Sequence, residues 1–145
     1  MTARNFALVM GIIFVVIGIA GFIPGLVQPL TEEGAPDLVL GGGHGLLLGI
    51  FPVNWLHNLV HLAFGIWGLA AYRSHGGAVL FSRATAVIYA VFAVMGFIPI
   101  LWTTFGLLPL YGNDIWLHAI IAAVAAYFGW GKPAKQPTTA ARTTT

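Results

Sequence analysis

Four long apolar segments, separated by stretches rich in glycine and proline, dominate this 145-residue sequence. They span residues 6–23, 55–72, 84–102 and 114–130. A helix that crosses a bilayer needs about 20 predominantly apolar residues, with a range of about 17 to 25. Only helices and closed barrels satisfy every backbone polar group within lipid, and long apolar runs without alternation are typical of helices. The sequence therefore predicts an all-α bundle of four transmembrane helices.

The composition favours lipid as the solvent of this chain. Hydrophobic residues make up 59% of the sequence and charged residues only 7%, whereas a soluble domain is about 25% charged. Six basic side chains are too few for a surface that binds nucleic acid. The absence of cysteine excludes disulfides, thiolate metal centres and cysteine nucleophiles. We therefore expect an integral membrane protein.

The charged residues predict how the chain is oriented in that membrane. The basic residues precede the first segment, follow the second or follow the fourth: Arg4, Arg73, Arg83, Lys132, Lys135 and Arg142. The acidic residues lie in the two other loops: Glu32, Glu33, Asp37 and Asp114. Loops rich in lysine and arginine stay in the cytoplasm. The sequence thus predicts a multi-pass domain over residues 1–130 with both termini cytoplasmic, and a polar Pro/Thr-rich cytoplasmic tail at 131–145.

Two short motifs recur in the same order and indicate an internal repeat. The sequence GFIP occurs at 21–24 and 96–99, and WLH occurs at 55–57 and 116–118. Each predicted unit is a helical hairpin, so the two hairpins would run parallel and be related by an axis along the membrane normal. This repeat makes His57 and His118 equivalent positions near the non-cytoplasmic side.

Polar residues cluster where the second and fourth segments begin. His57 and His61 are four residues apart and share one helix face. The neighbouring polar residues are Asn54, Asn58, Asn113 and Asp114. In a structural interpretation these groups hydrogen-bond loops and neighbouring helices and set the helix register, with Asn54 as the N-cap.

In a second interpretation the histidines bind a cofactor. His57, His118 and His61 are candidate ligands of a tetrapyrrole, either chlorophyll or haem. Alternatively, His57, His61 and His118, joined by His44 or by Asp114, would hold zinc or copper, because imidazole is the commonest metal ligand in proteins.

Two segments resemble a bacterial membrane family known as domain of unknown function 4383. Residues 51–65 match the pattern FPVN-x-LHNLVHL-x-x-G, and the segment LLPLYGNDIWLH at 107–118 is similar to a second pattern, LP-x-N-x-x-D-N-x-LH. The second match is looser, because Asn113 and Asp114 are adjacent here. The resemblance covers most of residues 5–130. It implies a four-helix integral protein of a bacterial inner membrane and supplies no activity. A photosynthetic membrane is the alternative location if the histidines bind chlorophyll.

No catalytic motif accompanies these features, so the sequence favours a protein that is not an enzyme. HExxH, a phosphate-binding loop and a serine triad are all missing. The leading hypothesis is an accessory or scaffold protein that assembles with itself or with a larger membrane complex. The first alternative is a subunit of a photosynthetic or electron-transfer complex that binds a tetrapyrrole or metal. A small-solute transporter or channel is the third.

Overall fold

The computed structural model describes residues 1–30 and 35–131. Within these ranges the chain forms four helices: α1 (Ala3–Ala20), α2 (Trp55–Ala71), α3 (His75–Gly96) and α4 (Asn113–Trp130). The protein is thus mostly helical, as predicted, and α1 and α3 are long and apolar enough to cross a membrane. Residues 132–145 of the predicted tail at 131–145, with its three basic residues, lie outside the described residues, as do Glu32 and Glu33.

The helices pack as two pairs, α1 with α2 and α3 with α4. At one end of the bundle, Arg4 Nε donates to the carbonyl oxygen of Tyr72 at 2.8 Å. Phe6 of α1 stacks on Phe128 of α4 nearby, with ring centroids 5.1 Å apart. The first residue of α1 and the last residue of α4 therefore lie at the same end, which we call the arginine end.

A small antiparallel sheet covers the opposite end, which we call the sheet end. Its strands are β1 (Val27–Pro29), β2 (Gly45–Leu47) and β3 (Phe51–Val53), in the order β1-β2-β3. The prediction of an all-α bundle did not include this sheet. Each strand has three residues, too few for a periodic signal in the sequence. Pairing satisfies backbone groups of the long loop between α1 and α2.

The third helix begins earlier than the apolar segment 84–102 suggested. It begins at His75 because Ser74 is its N-cap, and Ser74 Oγ accepts a hydrogen bond from the Gly77 N–H at 3.0 Å. Arg83 therefore lies inside α3, and its Nε donates to the carbonyl oxygen of Gly129 at 2.8 Å. The helix ends at Gly96, ahead of a 3-10 turn at Pro99–Leu101.

The first helix is displaced toward the N-terminus relative to the predicted segment 6–23. It begins at Ala3, after the N-cap residue Thr2, and ends at Ala20 with Gly21 as the C-cap. Proline at position 24 then opens a 3-10 turn, because proline at a first helical position needs no N–H partner.

Candidate metal centre

Asn54 anchors the start of α2 at the sheet end. Its Oδ1 accepts a hydrogen bond from the His57 N–H at 2.8 Å, which makes Asn54 the N-cap of the helix. Its Nδ2 donates to the carbonyl oxygens of Leu40 at 2.9 Å and Leu107 at 2.7 Å. One buried side chain therefore ties α2 to both loops at the sheet end and sets the position of His57.

We expect Asn54→Ala to lower the free energy of unfolding by about 3 kcal/mol, since it removes three hydrogen bonds and leaves buried partners unsatisfied. Asn113→Ala is the matched control, because exposed Asn113 makes one side-chain hydrogen bond, from Nδ2 to the Ile50 carbonyl oxygen at 3.2 Å. Denaturant titration in detergent followed by circular dichroism measures both. Equal losses in the two variants would contradict the anchoring role.

His57, Asp114 and His118 come together between α2 and α4. Asp114 and His118 are four residues apart on α4, so they share the face that meets α2. The three side chains are only 5%, 3% and 3% exposed, respectively. Their ligand atoms all lie within 4.8 Å of one another. Bonds of about 2.1 Å bring ligand atoms roughly 3–4 Å apart, so small side-chain rotations would close this set around one ion.

These three side chains carry buried polar atoms that are not hydrogen-bonded within the described part of the chain. The atoms are Nδ1 of His57, Nδ1 of His118 and Oδ2 of Asp114. Burying an unpaired polar atom is costly, and burying an unpaired charge is costlier still. A cation between the three residues would satisfy a carboxylate and two imidazoles at once.

His61 lies one helical turn below His57 and outside this three-residue group. Its ring stacks on His57, with centroids 4.6 Å apart, and on Phe14, with centroids 5.6 Å apart. Its Nδ1 is also buried without a hydrogen bond to another described residue. Of the predicted metal ligands, His57 and His118 belong to the three-residue group. His61 does not belong to it and contacts the ring of His57 from the next helical turn.

Aromatic rings enclose His118 on the side of α3. The ring of Tyr89 meets it edge-on at 5.0 Å between centroids, and Phe92 lies at 5.8 Å. A tetrapyrrole bound to His118 from this side would have to displace both rings. The arrangement thus suits a single ion better than a macrocycle.

His44 lies apart from the other histidines, in the loop before β2. Its Nε2 is 3.1 Å from the hydroxyl oxygen of Tyr111, and it does not belong to the three-residue group. Burial lowers the pKa of His44 and raises the pKa of Tyr111, which the charge of Asp114 raises further. Both groups therefore favour their neutral forms.

The lowered pKa of His44 predicts an acid-sensitive contact. The unfolded chain binds more protons than the folded protein below the ordinary histidine pKa of 6.5, so stability should fall as the pH drops through this value. When the pH is lowered from about 7.5 to about 5.5, we expect the melting temperature of His44→Gln to fall less than that of the wild type. His75→Gln, at an exposed position, is the control. Equal acid sensitivity in wild type and His44→Gln would contradict this contact.

The sequence analysis does not predict that Tyr89 packs against His118. The repeat contains a signal for this contact, because the offset between the two GFIP motifs places Tyr89 at the position equivalent to Phe14. Both rings lie beside a histidine, Phe14 against His61 and Tyr89 against His118, and they stack on each other with centroids 5.5 Å apart. Each helix pair thus supplies one aromatic ring to the histidine cluster, which we define as His57, His61 and His118.

Comparison with known proteins identifies a family and no activity. The chain has no match among curated proteins and none among solved structures. A family described as Domain of unknown function (DUF4383) matches residues 4–131, a range that includes the four helices except the first residue of α1, the sheet and the histidine cluster. The chain belongs to this family, as the two sequence patterns predicted.

Proposed function

We propose that this protein is a four-span membrane protein that binds one divalent transition-metal ion through His57, Asp114 and His118. The observation that carries this proposal is the convergence of three buried ligand groups, each with an atom that no other described residue satisfies. Two imidazole nitrogens and a carboxylate oxygen suit zinc, copper or iron(II). The site then has open coordination positions for water or a further ligand.

The distribution of side chains supports four spans rather than two. Each helix exposes large apolar residues to its surroundings, such as Val16 (58% exposed), Ile66 (65%), Val94 (62%) and Ile120 (61%). The polar residues point inward instead, with Asn58, Ser82 and Thr85 fully or almost fully buried. Such an inverted surface is stable in lipid and would aggregate in water.

Charges at the two ends support cytoplasmic termini. Arg4, Arg73 and Arg83 lie toward the arginine end, whereas Asp37 and Asp114 lie toward the sheet end. The positive-inside rule then assigns the arginine end to the cytoplasm and the sheet end, with the metal centre, to the opposite side. The pairing of α1 with α2 and of α3 with α4 is also what two parallel helical hairpins require.

Single cysteine variants test this topology, because the chain has no cysteine of its own. We expect Ser74→Cys, at the arginine end, to react with a membrane-impermeant maleimide only after the membrane is opened. Val39→Cys, at the sheet end, should react in intact cells. The reverse pattern would invert the topology, and reaction of both variants in intact cells would contradict the single span, α2, between them.

Metal analysis of protein purified gently from its native membrane tests the site. We expect about one zinc, copper or iron per chain, and recovery of the same ratio when apo-protein is incubated with the ion. An absorption spectrum of the same sample tests the tetrapyrrole alternative, which requires a strong Soret band. Protein that carries no metal and does not take up Zn²⁺, Cu²⁺ or Fe²⁺ would contradict the proposal.

A groove between α3 and α4 favours a second candidate function, assembly with another copy of the chain. Its volume is about 340 Å³, and small side chains form its floor, namely Ala86, Ala90, Ala122, Ala123 and Ala126. Small residues allow helices to approach closely in lipid.

We expect Ala90→Trp to fill the groove and reduce cross-linked dimers in native membranes, whereas Ile66→Trp on α2 should not. Unchanged cross-linking in Ala90→Trp would contradict this interface.

A further inference from the structure

A cavity of about 420 Å³ opens at the sheet end, on the side of α1 and α2. This volume lies in the range of about 300–1,000 Å³ that small-molecule sites occupy. Phe22, Pro24, Val27 and Trp55 form apolar walls, and His44 and Asn58 supply polar groups. Phe22 and Trp55 are exposed, so the cavity opens where the bundle meets its surroundings.

The cavity is separate from the metal centre although Asn58 follows His57 in the chain. Successive residues of a helix are about 100° apart around its axis. His57 faces His118 of α4, whereas the Asn58 amide packs against Gly21 at the end of α1. A Cβ at position 21 would collide with this amide. Glycine at this position therefore makes room for the Asn58 side chain.

The polar groups of the cavity are held in place and one of them is unsatisfied. Asn58 is buried, and its Oδ1 lacks a hydrogen-bond donor in the described part of the chain. A buried amide oxygen without a partner costs free energy that a ligand's donor would recover. Tyr111 orients the His44 ring through the 3.1 Å contact at Nε2. Among the described residues the lining contains no Asp, Glu, Lys or Arg, which favours an uncharged ligand.

We infer that this cavity binds an uncharged amphiphile that combines a flat apolar ring with one hydroxyl or N–H donor. The donor satisfies the Asn58 amide, and the ring lies against Phe22 and Trp55. Such a molecule partitions to the interface of a bilayer, which is the depth at which the cavity opens. This site goes beyond the proposed metal centre and does not depend on it.

Photoaffinity labelling in lipid nanodiscs tests this inference. The probe is a naphthol that carries a diazirine, and the matched probe is its methyl ether, which has the same ring and no donor. We expect the naphthol to label residues 21–29 and 41–58 several-fold more than the ether does, with loss of labelling under excess 1-naphthol. Equal labelling by both probes, or labelling spread over lipid-facing residues such as Ile66, would overturn the inference.

Variants of the cavity identify the groups responsible. Asn58→Leu keeps the side-chain size and removes the amide, so it should reduce naphthol labelling to the level of the ether. Val27→Phe should fill the cavity and lower labelling by both probes, even if Asn58→Leu does not fold. Val39→Phe, at an exposed position outside the lining, is the control. Unchanged labelling in Val27→Phe overturns the inference, whereas His118→Ala should leave labelling unchanged because the metal centre is separate.

Discussion

Replacing His118 with alanine is expected to weaken Zn²⁺ binding by at least about 100-fold. Removing a residue that only hydrogen-bonds a metal ligand lowers metal affinity by about 10- to 100-fold. Removing a direct ligand should lower it more. His57→Ala and Asp114→Asn should have comparable effects, because the three groups converge on one point. Competition with a chromophoric chelator measures the affinities. His75→Ala, at an exposed position at the start of α3, is the control and should bind Zn²⁺ as the wild type does.

The same variants separate ligation from a structural role. Saturating metal stabilises the folded state through linkage, by about 2.7 kcal/mol when its concentration is 100 times the dissociation constant. We expect this increment in the wild type and not in Asp114→Asn. Without metal, Asp114→Asn should be at least as stable as the wild type, since it replaces a buried carboxylate that lacks a partner on Oδ2. A loss of stability that is equal with and without metal would instead indicate a hydrogen-bonding role.

Local rules predict the part of the site that lies on α2. Asn54 is followed by an apolar run, and the spacing of His57 and His61 places them on one face whatever the rest of the chain does. The equivalence of His57 and His118 under the repeat also predicts that α2 and α4 present their histidines at the same end of the bundle. The structure brings those two rings to 6.4 Å between centroids.

Long-range contacts decide the features that the sequence did not predict. His44 lies in a loop whose course depends on strand pairing and on Tyr111, 67 residues away, and no local pattern encodes either. Gly76 and Gly77 look like helix breakers, yet they occupy the first turn of α3 because Ser74 caps it. The sequence alone does not predict that Asp114 joins His57 and His118, since its approach to His57 depends on how α4 packs on α2.

Adding a single methyl group at Gly65 is expected to lower the free energy of unfolding by about 2–3 kcal/mol, in the range for overpacked cores. A Cβ at this position would lie 2.7 Å from the backbone nitrogen of Val15 and 3.0 Å from the Gly11 carbonyl oxygen. Backbone atoms cannot rotate away as a side chain can, so α1 and α2 would have to separate. Gly65→Ala therefore tests whether these helices touch through their backbones, and denaturant titration in mixed micelles measures the effect.

Gly76→Ala is the matched control, because a Cβ at Gly76 would meet no atom within 4 Å. This variant should gain about 0.4–1 kcal/mol, since alanine reduces the freedom of the unfolded chain. Gly65 lies one turn below His61, so separation of α1 would move Phe14 away from that ring, whereas the metal ligands lie on α2 and α4. Gly65→Ala should therefore lose stability and keep most of its Zn²⁺ affinity. A Gly65→Ala protein as stable as Gly76→Ala would contradict the close packing of α1 on α2.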